Sequence, residues 1–198
     1  MSDNPYFYPG LAAIALAIVF PLYWFLEIGA GTGGSLPDID MIANGLSPLD
    51  YMFLLVGGLN VYFYLSIRNV LYEHFHFKKI HTVLAIMVGI CGFFYLGTFI
   101  LDVLATAIGR DVASFGIAIV TVISIISFGV LDILMGFTLF RDGEEMSGLI
   151  RGFGLISLIQ GVMEVTIVFS GLALFVFPMS ALIMAVYFLR KPEMVEVV

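Results

Sequence analysis

Charge is the scarcest commodity in this sequence. Its 198 residues include 8 Lys and Arg and 15 Asp and Glu, 12% charged in all, against about 25% in a soluble domain. The few basic residues are scattered. A nucleic-acid surface needs them clustered on one face, so that class of partner is excluded. There is one cysteine, Cys91, which cannot form an intrachain disulfide and reads as a small buried hydrophobe. Met1–Pro9 contains Asp3 and no Lys or Arg. A secretory signal needs a basic start, so the first apolar segment is expected to stay as a membrane helix. Catalytic signatures are also missing. The sequence has no G-x-S-x-G elbow, no phosphate loop, no convincing dinucleotide fingerprint and no set of histidine boxes. An enzyme is therefore the less favoured expectation, and no cofactor is predicted.

Apolar residues are what the chain has in abundance. It is 61% hydrophobic with a mean hydropathy of +1.10. A domain of this size cannot enclose so much apolar surface in a core of its own, and lipid is the solvent that accepts the surplus. A membrane helix takes about 20 apolar residues. Six segments qualify: residues 9–26, 49–67, 80–107, 112–140, 152–169 and 171–189. The fold class expected is all-α: an integral membrane protein with a single domain over 1–198, a polytopic bundle of six transmembrane helices. The last two segments form one apolar stretch, which Ser170-Gly171 is expected to break as a tight turn. Pro21 and Pro178 fall inside segments and predict kinks.

The basic residues predict orientation. With both termini cytoplasmic, Arg68, Lys78, Lys79, Arg141, Arg151, Arg190 and Lys191 all lie inside, and Arg110 alone lies outside. Merging the last two spans would put Arg190 and Lys191 outside, which favours six spans over five. The plasma (inner) membrane is the expected location. The loop over residues 28–47 carries Pro37, Asp38 and Asp40 and no basic residue.

Polar residues within spans are costly and become functional candidates. In the fifth span Gly154, Ser157, Gln160 and Glu164 recur every three or four residues and share one helix face. The third span carries Gly92, Tyr95, Thr98, Asp102 and Thr106. The fourth carries Thr121, Ser124 and Asp132, and the second Asn60 and Tyr64. Small and polar residues at such spacing also serve helix packing, but packing does not require an ionisable group. Glu27, Asp102, Asp132 and Glu164 are acids within or at the edge of spans, where no Lys or Arg lies. Acids placed so must hold protons or face a cation. Measured from the span ends, Asp102 and Glu164 fall in the outer half and Asp132 in the inner half. Asp102 and Glu164 are therefore expected to face one cavity and titrate as a pair.

The segment from Glu73 to His81 contains His74, His76 and His81. These could ligate a metal, yet their spacing fits no zinc signature. An interfacial loop, with His and Phe at headgroup depth beside Lys78 and Lys79, accounts for them more simply. Gly148-x-x-x-Gly152, Ala13-x-x-x-Ala17 and Ala181-x-x-x-Ala185 are expected to pack helices within the bundle or between copies.

The functional expectation is a small transporter-like protein. It would bind a cation, proton or small solute through Asp102, Glu164 and Asp132, with Gln160 and Asn60 as hydrogen-bonding groups. The alternative is a non-catalytic membrane subunit or regulator whose polar faces bridge helices or meet a membrane partner or a second copy. A membrane enzyme built on the histidine loop is the third reading.

Overall fold

The computed structural model describes residues 4–31, 47–142, 146–166 and 169–190. The loop bearing Pro37, Asp38 and Asp40, the acids Glu144 and Glu145, and the tail from Lys191 lie outside the described residues. Within them the chain forms six helices: α1 (Phe7–Gly31), α2 (Pro48–Glu73), α3 (His81–Ile108), α4 (Arg110–Asp142), α5 (Gly148–Val165) and α6 (Ser170–Leu189). All six are long and apolar enough to cross a membrane, which makes this a multi-pass membrane protein.

Burial is inverted relative to a soluble protein. Ile18 is 60% exposed, Phe25 59% and Phe115 69%, whereas Asp132 is 2% exposed and Asn60 and Gln160 4% each. Only an apolar surrounding makes that arrangement favourable.

Each helix packs on its neighbours in the chain, and α1 closes against α6. The result is a ring of six helices in chain order, alternating up and down. Its terminal end is tied by Asn4 Nδ2 donating to the Phe188 carbonyl at 2.9 Å and the Tyr6 hydroxyl donating to Glu73 Oε2 at 2.7 Å. Burial and the Glu73 carboxylate push the Tyr6 hydroxyl pKa up, so it remains a donor. Lys79 Nζ meets Asp142 Oδ2 at 2.8 Å and joins the α2–α3 connection to the end of α4 at the same end.

Helix boundaries differ from the sequence expectation most in α1, which runs to Gly31 rather than 26, and in α2 and α5. α2 starts where Ser47 and Asp50 form a reciprocal capping box with Pro48 in the first turn. It then continues past Ile67 to Glu73, because Val70 and Leu71 are buried and extend the apolar face. α5 begins at Gly148 rather than 152, where Ser147 caps it by accepting from the Ile150 amide. It ends at Val165, where the Thr166 hydroxyl donates to the Met163 carbonyl in the last turn. The turn between the last two helices therefore precedes Ser170-Gly171, and both of these residues begin α6.

α3 and α4 are separated by Gly109 alone, at φ 92° and ψ 139°. A side chain strains that backbone at a cost of about 1–3 kcal/mol, although a Cβ there would meet nothing within 4 Å. Gly109→Ala is expected to lower thermal stability by that amount, measured by melting in detergent. Unchanged melting would show that the hairpin does not need this backbone conformation.

The α4–α5 seam is the closest in the bundle. A Cβ built on Gly161 would fall 2.5 Å from the Gly129 carbonyl oxygen, and one on Gly136 would fall 2.5 Å from that of Gly154. These four glycines bring two backbones into direct contact. Gly148 and Gly152 were expected to pack, but a Cβ built on either would meet nothing within 4 Å. Their motif matched by spacing but lies on an unpacked face. The alanine pairs do sit in the core, with Ala13 and Ala17 on α1 and Ala181 and Ala185 on α6 all buried.

Candidate functional site: an acidic intramembrane cavity

The register of the α4–α5 seam places Gln160 between two acids. Gly161 lies level with Gly129, so Asp132 and Glu164 sit three residues to either side, with their backbones about 9 Å apart along the axis. Gln160 spans that gap. Its Nε2 donates to Asp132 Oδ2 at 3.1 Å and to Glu164 Oε1 at 2.9 Å, using both amide hydrogens. Asp132 is buried, and Glu164 Oε2 is buried without a hydrogen-bond partner among the described residues.

These groups line a cavity of about 300 Å³ to which all six helices contribute. Asn60 and Tyr64 reach it from α2, Cys91, Phe94 and Tyr95 from α3, and Thr121 and Phe128 from α4. Asn60 Nδ2 donates to the Tyr95 hydroxyl at 2.8 Å. The Tyr95 ring fits because residue 57 is glycine: a Cβ there would fall 2.5 Å from the ring. Among the described residues no Lys, Arg or His lines the cavity. Two acids therefore share one cavity with no basic partner among the described residues, and the site is electrostatically incomplete without a proton or a cation.

The cavity is asymmetric. Its wall includes Ile28 and Gly171, both exposed at the end remote from the termini. Toward the terminal end, Ile67, Leu84, Met87, Met135, Leu139 and Phe153 are all 1% exposed or less and fill the ring. Phe63 meets Phe153 and Phe177 edge-on across it, with centroids 6.3 and 6.2 Å apart. Glu164 lies nearer the open end and Asp132 nearer the seal.

Four of the five sequence candidates, Asn60, Asp132, Gln160 and Glu164, are thus brought to one cavity. Asp102 is not. It lies seven residues, about 10 Å of helix rise, beyond Tyr95 on α3, and the charges that reach it are those of Asp50 and Glu27. The acid linked to Glu164 is Asp132, through Gln160. Span-end measurement separated that pair because α4 runs to 33 residues and α5 to 18, so their ends do not mark equal depths. The cavity aromatics Phe20, Trp24, Phe94, Phe128 and Phe177 were not singled out in the sequence, where an inward-facing ring reads the same as a lipid-facing one.

The histidines separate. His81 Nε2 accepts from Arg68 Nε at 2.8 Å, His74 packs edge-on against Tyr6, and His76 has a positive φ of 47° that turns the connection. Among the described residues no group of three or more His, Cys, Asp and Glu is placed to hold a metal. No protein-family model, no curated protein and no solved structure matches this chain, so the cavity itself carries the functional reading.

Proposed function

We propose that this protein is a small transporter-like cation-binding membrane protein, with Asp132 and Glu164 as its charge-bearing ligands. Gln160 holds the two carboxylates in register, and Asn60 positions the Tyr95 hydroxyl on the opposite wall. The single observation that carries the reading is a cavity inside the bundle with two bridged acids and, among the described residues, no basic side chain and no partner for one of their oxygens. Access from one end and an apolar seal at the other fit one state of an alternating-access cycle. Orientation belongs to the same proposal. The ends bearing Arg68, Lys78, Lys79, Arg141, Arg151 and Arg190 coincide with the termini and face the cytoplasm. Reporters at Lys78 should be inside and at Arg110 outside, and the reverse labelling would overturn it.

Cation and proton compete for the same two carboxylates, so binding is expected to weaken as pH falls. Asp132→Asn and Glu164→Gln, singly and together, are expected to abolish pH-dependent cation binding while the protein still folds. Binding titrations across pH, with melting measured alongside, test this. Full binding in the double variant would eliminate the cation site. The second reading, a helix-bridging role in a non-catalytic subunit, is favoured by the Asp132–Gln160 bond, which crosses from α4 to α5. Loss of stability in the single variants, with no earlier loss of binding, would support it.

A further inference from the structure

The walls of the cavity say more than its acids do. A compact inorganic ion needs a shell of oxygens, six to eight for calcium and six in near-octahedral array for magnesium. Here the two carboxylates lie on one side only, and the space between their facing oxygens is taken by the Gln160 amide, bonded to them at 3.1 and 2.9 Å. No third acid, histidine or cysteine is placed with them to hold a metal among the described residues. A proton, for its part, needs no cavity at all. The remaining wall is apolar and rich in rings: Phe20 and Trp24 from α1, Phe94 from α3, Phe128 from α4 and Phe177 from α6, with the phenol rings of Tyr64 and Tyr95 and aliphatic side chains between them. The Phe20 and Phe177 rings pack on one another at 4.6 Å, and Trp24 stands edge-on to Phe20 at 6.5 Å. Ring faces attract a cation whose charge is spread over alkyl groups, and Trp does so most strongly.

Taking these together, we infer that the ligand is an organic ammonium with an apolar body, its charged nitrogen held between the Asp132–Gln160–Glu164 side and the aromatic wall. The inference rests on the cation-site reading above and narrows it to one chemical class. Size agrees. A space of about 300 Å³ corresponds to on the order of ten water volumes at about 30 Å³ each, which suits an amine of about ten heavy atoms. Such a molecule leaves the apolar rings in contact with apolar matter, whereas a hydrated metal ion would wet them.

The chain contains one tryptophan, Trp24, and it lines the cavity, so its emission reports occupancy without a label. The test titrates purified full-length protein in detergent with phenyltrimethylammonium and with tert-butylbenzene, a neutral molecule of the same shape. Sodium and magnesium chlorides are titrated separately. The expected result is a saturable change in Trp24 emission, with the ammonium bound about tenfold or more tighter than its neutral counterpart. That preference should vanish in the Asp132→Asn/Glu164→Gln double variant. Phe128→Leu, which keeps an apolar side chain and removes a ring face, should weaken the ammonium several-fold and leave any response to sodium or magnesium unchanged. Melting curves confirm that each variant is folded. If sodium or magnesium binds in an acid-dependent way and the ammonium does not, the organic-cation inference fails and the cation site stands. If the ammonium binds no tighter than tert-butylbenzene and neither sodium nor magnesium binds in an acid-dependent way, both fail.

Discussion

Gly161→Leu is expected to be among the most destabilising single substitutions in the chain. Even alanine would put a Cβ 2.5 Å from the Gly129 carbonyl oxygen and 2.8 Å from the Ile133 amide nitrogen. Both are backbone atoms, so no side chain can rotate away and the helices themselves must part. Overpacking of this kind costs about 1–3 kcal/mol for a small addition, and leucine stands at or above the top of that range. The consequence reaches the site. Gln160 is the preceding residue, and parting α4 from α5 carries its amide away from Asp132. Both melting temperature and ligand binding should therefore fall together in Gly161→Leu. Gly152→Ala provides the contrast, since nothing lies within 4 Å of its Cβ position. It should be neutral or slightly stabilising through better helix propensity. Equal melting of Gly161→Ala and Gly152→Ala would show that the seam is looser than its geometry.

Gln160→Leu is expected to have the second large effect, by a different route. Leucine fills similar space but donates nothing. Asp132 Oδ2 and Glu164 Oε1 each lose the amide hydrogen that Gln160 donates to them. Each buried acceptor left without a donor costs about 1–3 kcal/mol, so the variant should lose about 2–6 kcal/mol if both remain unsatisfied. A double-variant cycle separates this bridge from simple packing. In an Asp132→Leu/Glu164→Leu background, Gln160→Leu has no carboxylate to orphan and should cost far less. An equal cost in both backgrounds would mean that the amide contributes shape alone. Gln160→Glu is the complementary change: it replaces a donor by a third acid, and should be tolerated only with added cation or at low pH.

The sequence shows its architecture because hydropathy is local. A run of about 20 apolar residues reports a span whatever it packs against, and each expected segment overlaps one helix. The polar stripe of α5 was equally legible, since Ser157, Gln160 and Glu164 follow the helical period within one element. Helix ends were less so. The start of α5 depends on a single hydroxyl, Ser147, and its end on Thr166, short-range capping that hydropathy does not register.

What the sequence by itself determined is therefore the number of helices, their apolar outer faces, and the placing of Asn60, Asp132, Gln160 and Glu164 inside lipid-excluded spans. Which of those groups meet was decided only in the tertiary structure. Asp102 and Glu164 looked like partners because both lie near span ends. Asp132 became the partner because Gly129 and Gly136 dock against Gly161 and Gly154, setting the register between helices of unequal length. Register is a property of two surfaces in contact. The spacing of glycines within either helix does not say which face will find a partner: Gly148 and Gly152 are spaced for packing and pack against nothing, whereas Gly154 and Gly161 bring a backbone, an amide and two acids together.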